Sequence, residues 1–341
     1  MYLEEASTGY SNNLGFIKFL AAVAVIFSHA FSVTRDPLPE PLALITRNQI
    51  TFGGFAVAVF FFASGFYVTK SIMKRGGTGY WKGRLTRIYP SFIVVIAATA
   101  LIMGPVVTSL SLTDYFTSPQ TYSYFMYLIM VPRYSLPGVF QNNPLTTVNG
   151  SLWTIILEMI CYLALFTAYK MKLLDQKILK FLNILLVAAI LILFGIKPGF
   201  VQPFNGYIRP VFIFVMGVEF CVFKDRIRLN NILGLVLLAA AVVLCVVNRL
   251  DLAMVMIFPY LLSLIVFTTH QVGKTMAKLG DYSYGMYLTA FPIQQIIVNY
   301  WPDVNVLWNT LITAVTSLVM AVLLLKCVEG PVSDRVLKKK S

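Results

Sequence analysis

Residues 14–34 read LGFIKFLAAVAVIFSHAFSVT, and in that stretch only Lys18 and His29 can carry a charge. At 1.5 Å of rise per residue such a run covers about 30 Å, the thickness of a bilayer's hydrocarbon core. Backbone amides in lipid must bond within their own segment, so the run is a helix. Similar apolar runs recur at 52–72, 88–110, 149–169, 178–196, 208–223, 231–248, 253–270, 283–300 and 305–325. The sequence therefore predicts an all-α fold, a polytopic bundle of about ten transmembrane helices. The run at 208–223 is short and fits a tilted or partly buried helix. Segment 111–148 separates the third and fourth runs. Within it, Tyr124 to Val131 is too short to cross and reads as an interfacial or re-entrant element. No small-residue cleavage pattern follows the first run, so it is read as a retained helix and not as a signal peptide.

Composition and charge agree with that reading. The chain is 58% hydrophobic and 12% charged, against about 45–50% and 25% in soluble domains. A net charge of +13 raises the question of nucleic acid, but no basic, aromatic-interleaved soluble domain carries it. Segments 70–87, 170–180, 224–230, 270–282 and 326–341 together hold 20 Lys and Arg; the alternate segments hold six, Arg35, Arg47, Arg133, Lys197, Arg209 and Arg249. That bias predicts both termini in the cytoplasm, a basic cytoplasmic tail at 326–341, and segment 111–148 as the largest outward piece. The tail's Lys338, Lys339 and Lys340 read as a positive-inside anchor in preference to a retrieval signal. With no repeat or appended soluble domain, residues 1–341 are expected to form one membrane-embedded domain. Cys161, Cys221, Cys245 and Cys327 are scattered without metal-ligand spacing and read as packing residues. No metal or bound redox cofactor is indicated.

Ionisable groups inside a membrane are costly and therefore mark candidate functional positions. Lys18 and His29 lie eleven residues apart; the helix turns about 1100° between them, so they share a face about 16 Å apart along the axis. A cation near the inner end and a deeper imidazole suit a ligand with an anionic head and a long reactive arm. The alternative is a snorkelling lysine and a structural histidine. An imidazole of ordinary pKa near 6.5 is suited to proton transfer. The second histidine, His270, falls at a helix end, where an interfacial role is expected. Glu158 follows Trp153 and precedes Tyr162 by four residues, which places carboxylate and phenol on one face. A buried carboxylate needs a partner, either His29 or a base of the bundle. Glu219 reads as a brace. In 74–90, KRGGTGYWKGRLTRIYP, Arg84 and Arg87 stand one turn apart and form a candidate phosphate clamp; by charge alone the stretch also fits an ordinary cytoplasmic loop.

Taken in order, these features resemble the integral-membrane acyltransferase 3 family, whose members O-acylate bacterial surface polysaccharides and some small molecules. FIKFLAAVAVIFSH resembles its basic-x10-His motif, with Lys18 where arginine is usual and His29 at the catalytic place. FFFASGFYVTK, with Ser64, Gly65 and Phe66, is similar to its FFxxSGF segment. Arg84, Arg87, Tyr89 and Pro90 resemble RxxRIYP, taken to lie at the acyl-donor side. SLWTIILEMICY matches LWSLxxExxxY through Leu152, Trp153, Glu158 and Tyr162. GDYSYGMYLTAFPI resembles G-x-x-SYxxYLxHxP, and CVEGP, with Glu329, its terminal IExP. Two positions depart from the pattern: Lys18 loses arginine's bidentate fork, and Ala290 replaces a histidine.

The resemblance implies a membrane-bound O-acyltransferase of the bacterial cytoplasmic membrane. It would move an acyl group, acetyl first and succinyl as alternative, from cytoplasmic acyl-CoA to a hydroxyl of a free or lipid-linked saccharide. Acyl-CoA is then a donor substrate, no cofactor stays bound, and membrane lipid is the surrounding partner. His29, as general base or transient acyl carrier, and Glu158 are the expected catalytic residues. Lys18, Ser64, Arg84, Arg87, Tyr89, Trp153, Tyr162 and Glu329 are the expected substrate-binding ones. Because the hydrolase-like domain that some members append is absent, transfer is expected either within the membrane domain or through an extracytoplasmic partner. A polysaccharide exporter or flippase is the rival; it would not require the Lys18/His29 pair with the RxxR segment.

Overall fold

Leucine, isoleucine, valine, phenylalanine and alanine leave the backbone no polar side-chain competitor, so long apolar runs close into i→i−4 ladders. The computed structural model describes residues 1–7, 13–199, 202–268 and 278–337; His270 and Lys338 to Lys340 lie outside them. Among the described residues every extended element is helical, with no strand beyond an isolated bridge between Tyr2 and Arg228. The main helices are α1 (Leu14–Val33), α2 (Phe52–Ala98), α3 (Trp153–Lys170), α4 (Gln176–Ile190), α5 (Asn205–Val222), α6 (Asn231–Val246), α7 (Leu250–Met256), α8 (Phe258–Thr268), α9 (Ser283–Tyr300) and α10 (Val306–Leu324).

Six helical stretches among the described residues are long and apolar enough to cross a membrane, and a seventh forms if α7 and α8, bent by 48°, count as one span. That is fewer than the ten expected crossings, for local reasons. The second and third runs join into one helical stretch, Phe52–Val107, interrupted at Gly76 (φ 68°, ψ −179°). The basic segment 70–87 is accordingly helical on both sides of one glycine, which alone tolerates that backbone without a Cβ clash. Helix α6 stops at 16 residues. Helix α9 has the length, but Gln294, Gln295 and Asn299 dilute its apolar character.

Two compact units are distinguishable by internal contacts, one built from residues 1–21, 40–80 and 157–280, the other from 22–39, 81–156 and 281–341. In the first unit α2 and α5 approach with backbone against backbone. A methyl added at Gly65 would collide with the Phe214 carbonyl oxygen, and one at Gly217 with the Phe62 carbonyl oxygen. Small residues permit this approach, which lipid cannot drive by hydrophobicity. Around it Phe62 packs edge-on to Phe220 at 5.5 Å, and Phe66 lies 5.9 Å from Phe267. Glu219 of α5 accepts a hydrogen bond from Asn183 Nδ2 of α4 at 3.1 Å, the bracing role its sequence position implied.

In the second unit α9 and α10 form a tight antiparallel pair. A methyl on Gly285 would lie 2.7 Å from the Ala321 Cα. Gln294 and Gln295 of α9 are fully buried and fully engaged as donors. Gln294 Nε2 donates to the Ile26 carbonyl at 2.8 Å and to Asn309 Oδ1 at 3.1 Å. Gln295 Nε2 donates to the carbonyls of Leu145 and Thr147, both at 2.7 Å. Segment 111–148 opens with short helices and a 3-10 turn at Tyr124–Ile129, and continues without helix from 130 to 148. It is fastened through Tyr115, whose hydroxyl donates to the Ala100 carbonyl at 2.7 Å. Burial pushes that phenol up to about 12, so the hydroxyl keeps its proton over the physiological pH range.

Candidate active site

The SGF and ExxxY motifs meet in the first unit. Ser64, on α2, donates to Glu158 Oε1 at 2.6 Å and lies 2.8 Å from the Tyr162 hydroxyl. Tyr162 also donates to Glu158 Oε1. The i, i+4 spacing on α3 aims carboxylate and phenol the same way, toward Ser64 of α2. Tyr80 closes the back of the cluster by donating to the Tyr162 carbonyl at 2.8 Å. The three residues of the SGF motif thus act differently. Ser64 bonds the carboxylate, Gly65 lets α5 in, and Phe66, 1% exposed, fills the core.

In the second unit the imidazole of His29 packs edge-on against Phe291 at 5.2 Å. Its Nδ1 is buried and has no hydrogen-bond partner among the described residues. An unpaired buried nitrogen costs about 1–3 kcal/mol. Phe291 belongs to the same α9 motif as Ala290, and Ala290 is itself buried against the helix pair at 1% exposure. The ring contact that Phe291 supplies was not foreseen in the sequence, although it sits one residue beyond the departing alanine.

The RxxRIYP and terminal motifs also meet in the second unit. Ser91, directly after Pro90, donates to Glu329 Oε1 at 2.6 Å. Arg87 and Asp281 both lie within electrostatic range of that carboxylate. Tyr89 donates to the Leu128 carbonyl at 3.2 Å, and Tyr284 to the Ile88 carbonyl at 2.9 Å. Arg87 is exposed and Arg84 half-buried; the Arg84 Nε is buried without a hydrogen-bond partner among the described residues. Ser91 and Asp281 were not singled out from sequence; Ser91 stands one turn beyond Arg87, and that spacing was the available signal. Trp153 opens α3, where Thr154 lies 2.6 Å from the Tyr287 hydroxyl and Asn149 donates to the Leu288 carbonyl at 2.9 Å. Lys18 is half-buried on α1, eleven residues before His29 on the same continuous helix. Among the described residues no group of His, Cys, Asp and Glu could hold a metal ion.

The first unit thus holds a half-buried carboxylate bonded to serine and tyrosine, and the second holds the unpaired imidazole, the two arginines one turn apart and the Ser91–Glu329 bond. A family profile described as an acyltransferase domain matches residues 11–326, and the chain belongs to that family. It is an acyltransferase. A relative named O-acetyl transferase, from Shigella phage Sf6, is 25% identical over 311 residues, covering 85% of this chain and 86% of its own. Nodulation protein 10 of Rhizobium leguminosarum bv. viciae is 31% identical over 170 residues, covering 47% of this chain and 45% of its own. No solved structure matches the chain.

Proposed function

We propose that this acyltransferase moves an acetyl group from cytoplasmic acetyl-CoA to a hydroxyl of a cell-surface or exported saccharide, in a bacterial cytoplasmic membrane. The observation that carries this reading is the imidazole of His29, held in a membrane helix with Nδ1 buried and unpaired. The name of the phage relative, O-acetyl transferase, supports acetyl as the acyl group, and the family resemblance supports a saccharide acceptor. The Lys and Arg bias supports a topology of ten crossings with both termini inside, so donor and acceptor arrive from opposite faces.

In this mechanism Arg84 and Arg87, one turn apart, bind the phosphates of the donor, with Lys18 as a further cation. The thioester reaches His29. Its imidazole takes the proton of the acceptor hydroxyl as that oxygen attacks the thioester carbonyl carbon; the C–S bond then breaks, and the departing thiolate recovers the proton. The products are the O-acetyl ester and free thiol. Glu158, held by Ser64 and Tyr162, is the second catalytic candidate. Trp153 lines the acceptor side, and the Ser91–Glu329 pair with Tyr89 steadies the arginine helix.

The test is O-acetyl analysis of surface glycans from a deletion strain complemented with wild type or His29→Ala. Wild type restores acetylation, and His29→Ala, which removes the general base, lowers the rate by about 10²–10⁴-fold. Full restoration by His29→Ala sinks the mechanism. Loss of surface polymer together with its accumulation inside the cell favours the exporter.

A further inference from the structure

Four of the six basic residues that the charge pattern assigns to the outer face converge on one cavity. Arg47, Lys197, Arg209 and Arg249 line a recess of about 640 Å³ in the first unit, with Asp251 as the one acidic group. Asp251 is spent on two of them: Lys197 Nζ stands 3.0 Å and Arg209 2.8 Å from its carboxylate oxygens. Arg47 and Arg249 have no carboxylate in ion-pair range among the described residues. They reach only backbone carbonyls, of Val246 at 3.5 Å and of Asn248 at 3.2 Å. The recess therefore carries a net charge of about +3 on the face from which positive-inside bias depletes cations.

The walls are also built with strain. Seven non-glycine residues among those described have positive φ, and four of them, Arg47, Asn48, Lys197 and Asn248, line this recess at φ 55–61°. Left-handed backbone at residues other than glycine gathers at ligand sites. Gln49 cross-braces the rim, donating to the Cys245 carbonyl at 2.9 Å and accepting from the Leu250 amide at 2.8 Å. Asn205 donates to Asp251 at 3.1 Å, while its own Oδ1 is buried without a partner among the described residues. An unpaired amide beside surplus guanidiniums suits a ligand with both an oxyanion and hydroxyl groups. The volume lies in the range of small-ligand sites, about 300–1,000 Å³.

We infer that this recess binds the acidic group of the acceptor, so that the saccharide modified by this enzyme carries a carboxylate or phosphate. The inference rests on the proposed transfer to a saccharide, and it places a recognition site on the outward side, apart from the residues assigned to the chemistry. Arg47 and Arg249 hold the oxyanion, and Asn205 accepts from a ring hydroxyl.

Calorimetric titration of the detergent-purified full chain tests it, with tetragalacturonate as acidic probe and maltotetraose as neutral control. Tetragalacturonate binds at least about tenfold more tightly than maltotetraose, and added salt weakens it. The double variant Arg47→Gln/Arg249→Gln, whose residues lie outside the Asp251 ion pairs, loses about tenfold or more in affinity with an unchanged unfolding temperature. His29→Ala binds tetragalacturonate as wild type does while failing in transfer, which separates this site from the catalytic proposal. Equal affinity for the two probes, or undiminished binding by the double variant, overturns the inference. So does retention of phosphatidylglycerol by wild type but not by the double variant, if tetragalacturonate fails to bind, because the recess then serves a lipid headgroup.

Discussion

Ser64 and Tyr162 spend their hydroxyl protons on one oxygen of Glu158. A half-buried carboxylate in a membrane helix is thereby satisfied without a cation among its hydrogen-bond partners, and bonds to a charged acceptor are the stronger kind. Removing one donor leaves the oxygen underbonded. Ser64→Ala is expected to cost about 1.5–3 kcal/mol, read as a lowered thermal unfolding midpoint in detergent, together with a loss of transfer activity. An unchanged midpoint and activity would remove Ser64 from the site. The Ser91–Glu329 bond follows the same logic with a single donor. His29 is the opposite case, a ring with a buried nitrogen that nothing among the described residues satisfies. Each of these three states depends on one or two atoms, which is why sequence could nominate His29, Glu158 and Glu329 but not say how each is held.

Helix α2 shows how one element serves packing and chemistry with adjacent residues. Gly65 and Gly217 allow α2 and α5 to touch through their backbones, and that contact fixes where Ser64 points. Gly65→Ala forces the helices apart, since the new methyl meets a carbonyl oxygen that cannot rotate away. The expected cost is about 1–3 kcal/mol or more, with Ser64 drawn off Glu158. Lower unfolding temperature and lower transfer together are the expected readout; wild-type behaviour of both would mean that the helices do not meet there. The helices were largely legible in sequence because 3.6-residue ladders and apolar length are local properties. The ends of α1, α5 and α9 fall within a few residues of expectation. The helical character of 70–87 was not legible, because Gly76 and Gly77 read as loop formers while the surrounding residues propagate helix. The bend between α7 and α8 did have a sequence signal, Pro259, which cannot donate an amide to a continuing helix and stands two residues after the break at Ile257.

At the scale of the whole molecule, the proposed topology rests on how the basic residues are shared between alternate segments. Alkaline phosphatase inserted near Gln141 is expected to be active, and a green fluorescent protein fused after Ser341 to fluoresce; inverted signals would reverse the proposed orientation. The cluster of Arg47, Lys197, Arg209 and Arg249 was counted in the sequence as an exception to that distribution, but its convergence needed three dimensions, because Arg47, Lys197 and Arg249 come from three separate connections and Arg209 from α5. The paired glutamines of α9 have a mechanical consequence for the second unit. Gln295 grips the chain at Leu145 and Thr147, Gln294 grips the backbone of α1 at Ile26, and the two are consecutive in one rigid helix. Ile26 lies one turn before His29. A displacement of the 145–147 segment is thus carried along α9 to the turn of α1 that holds the imidazole.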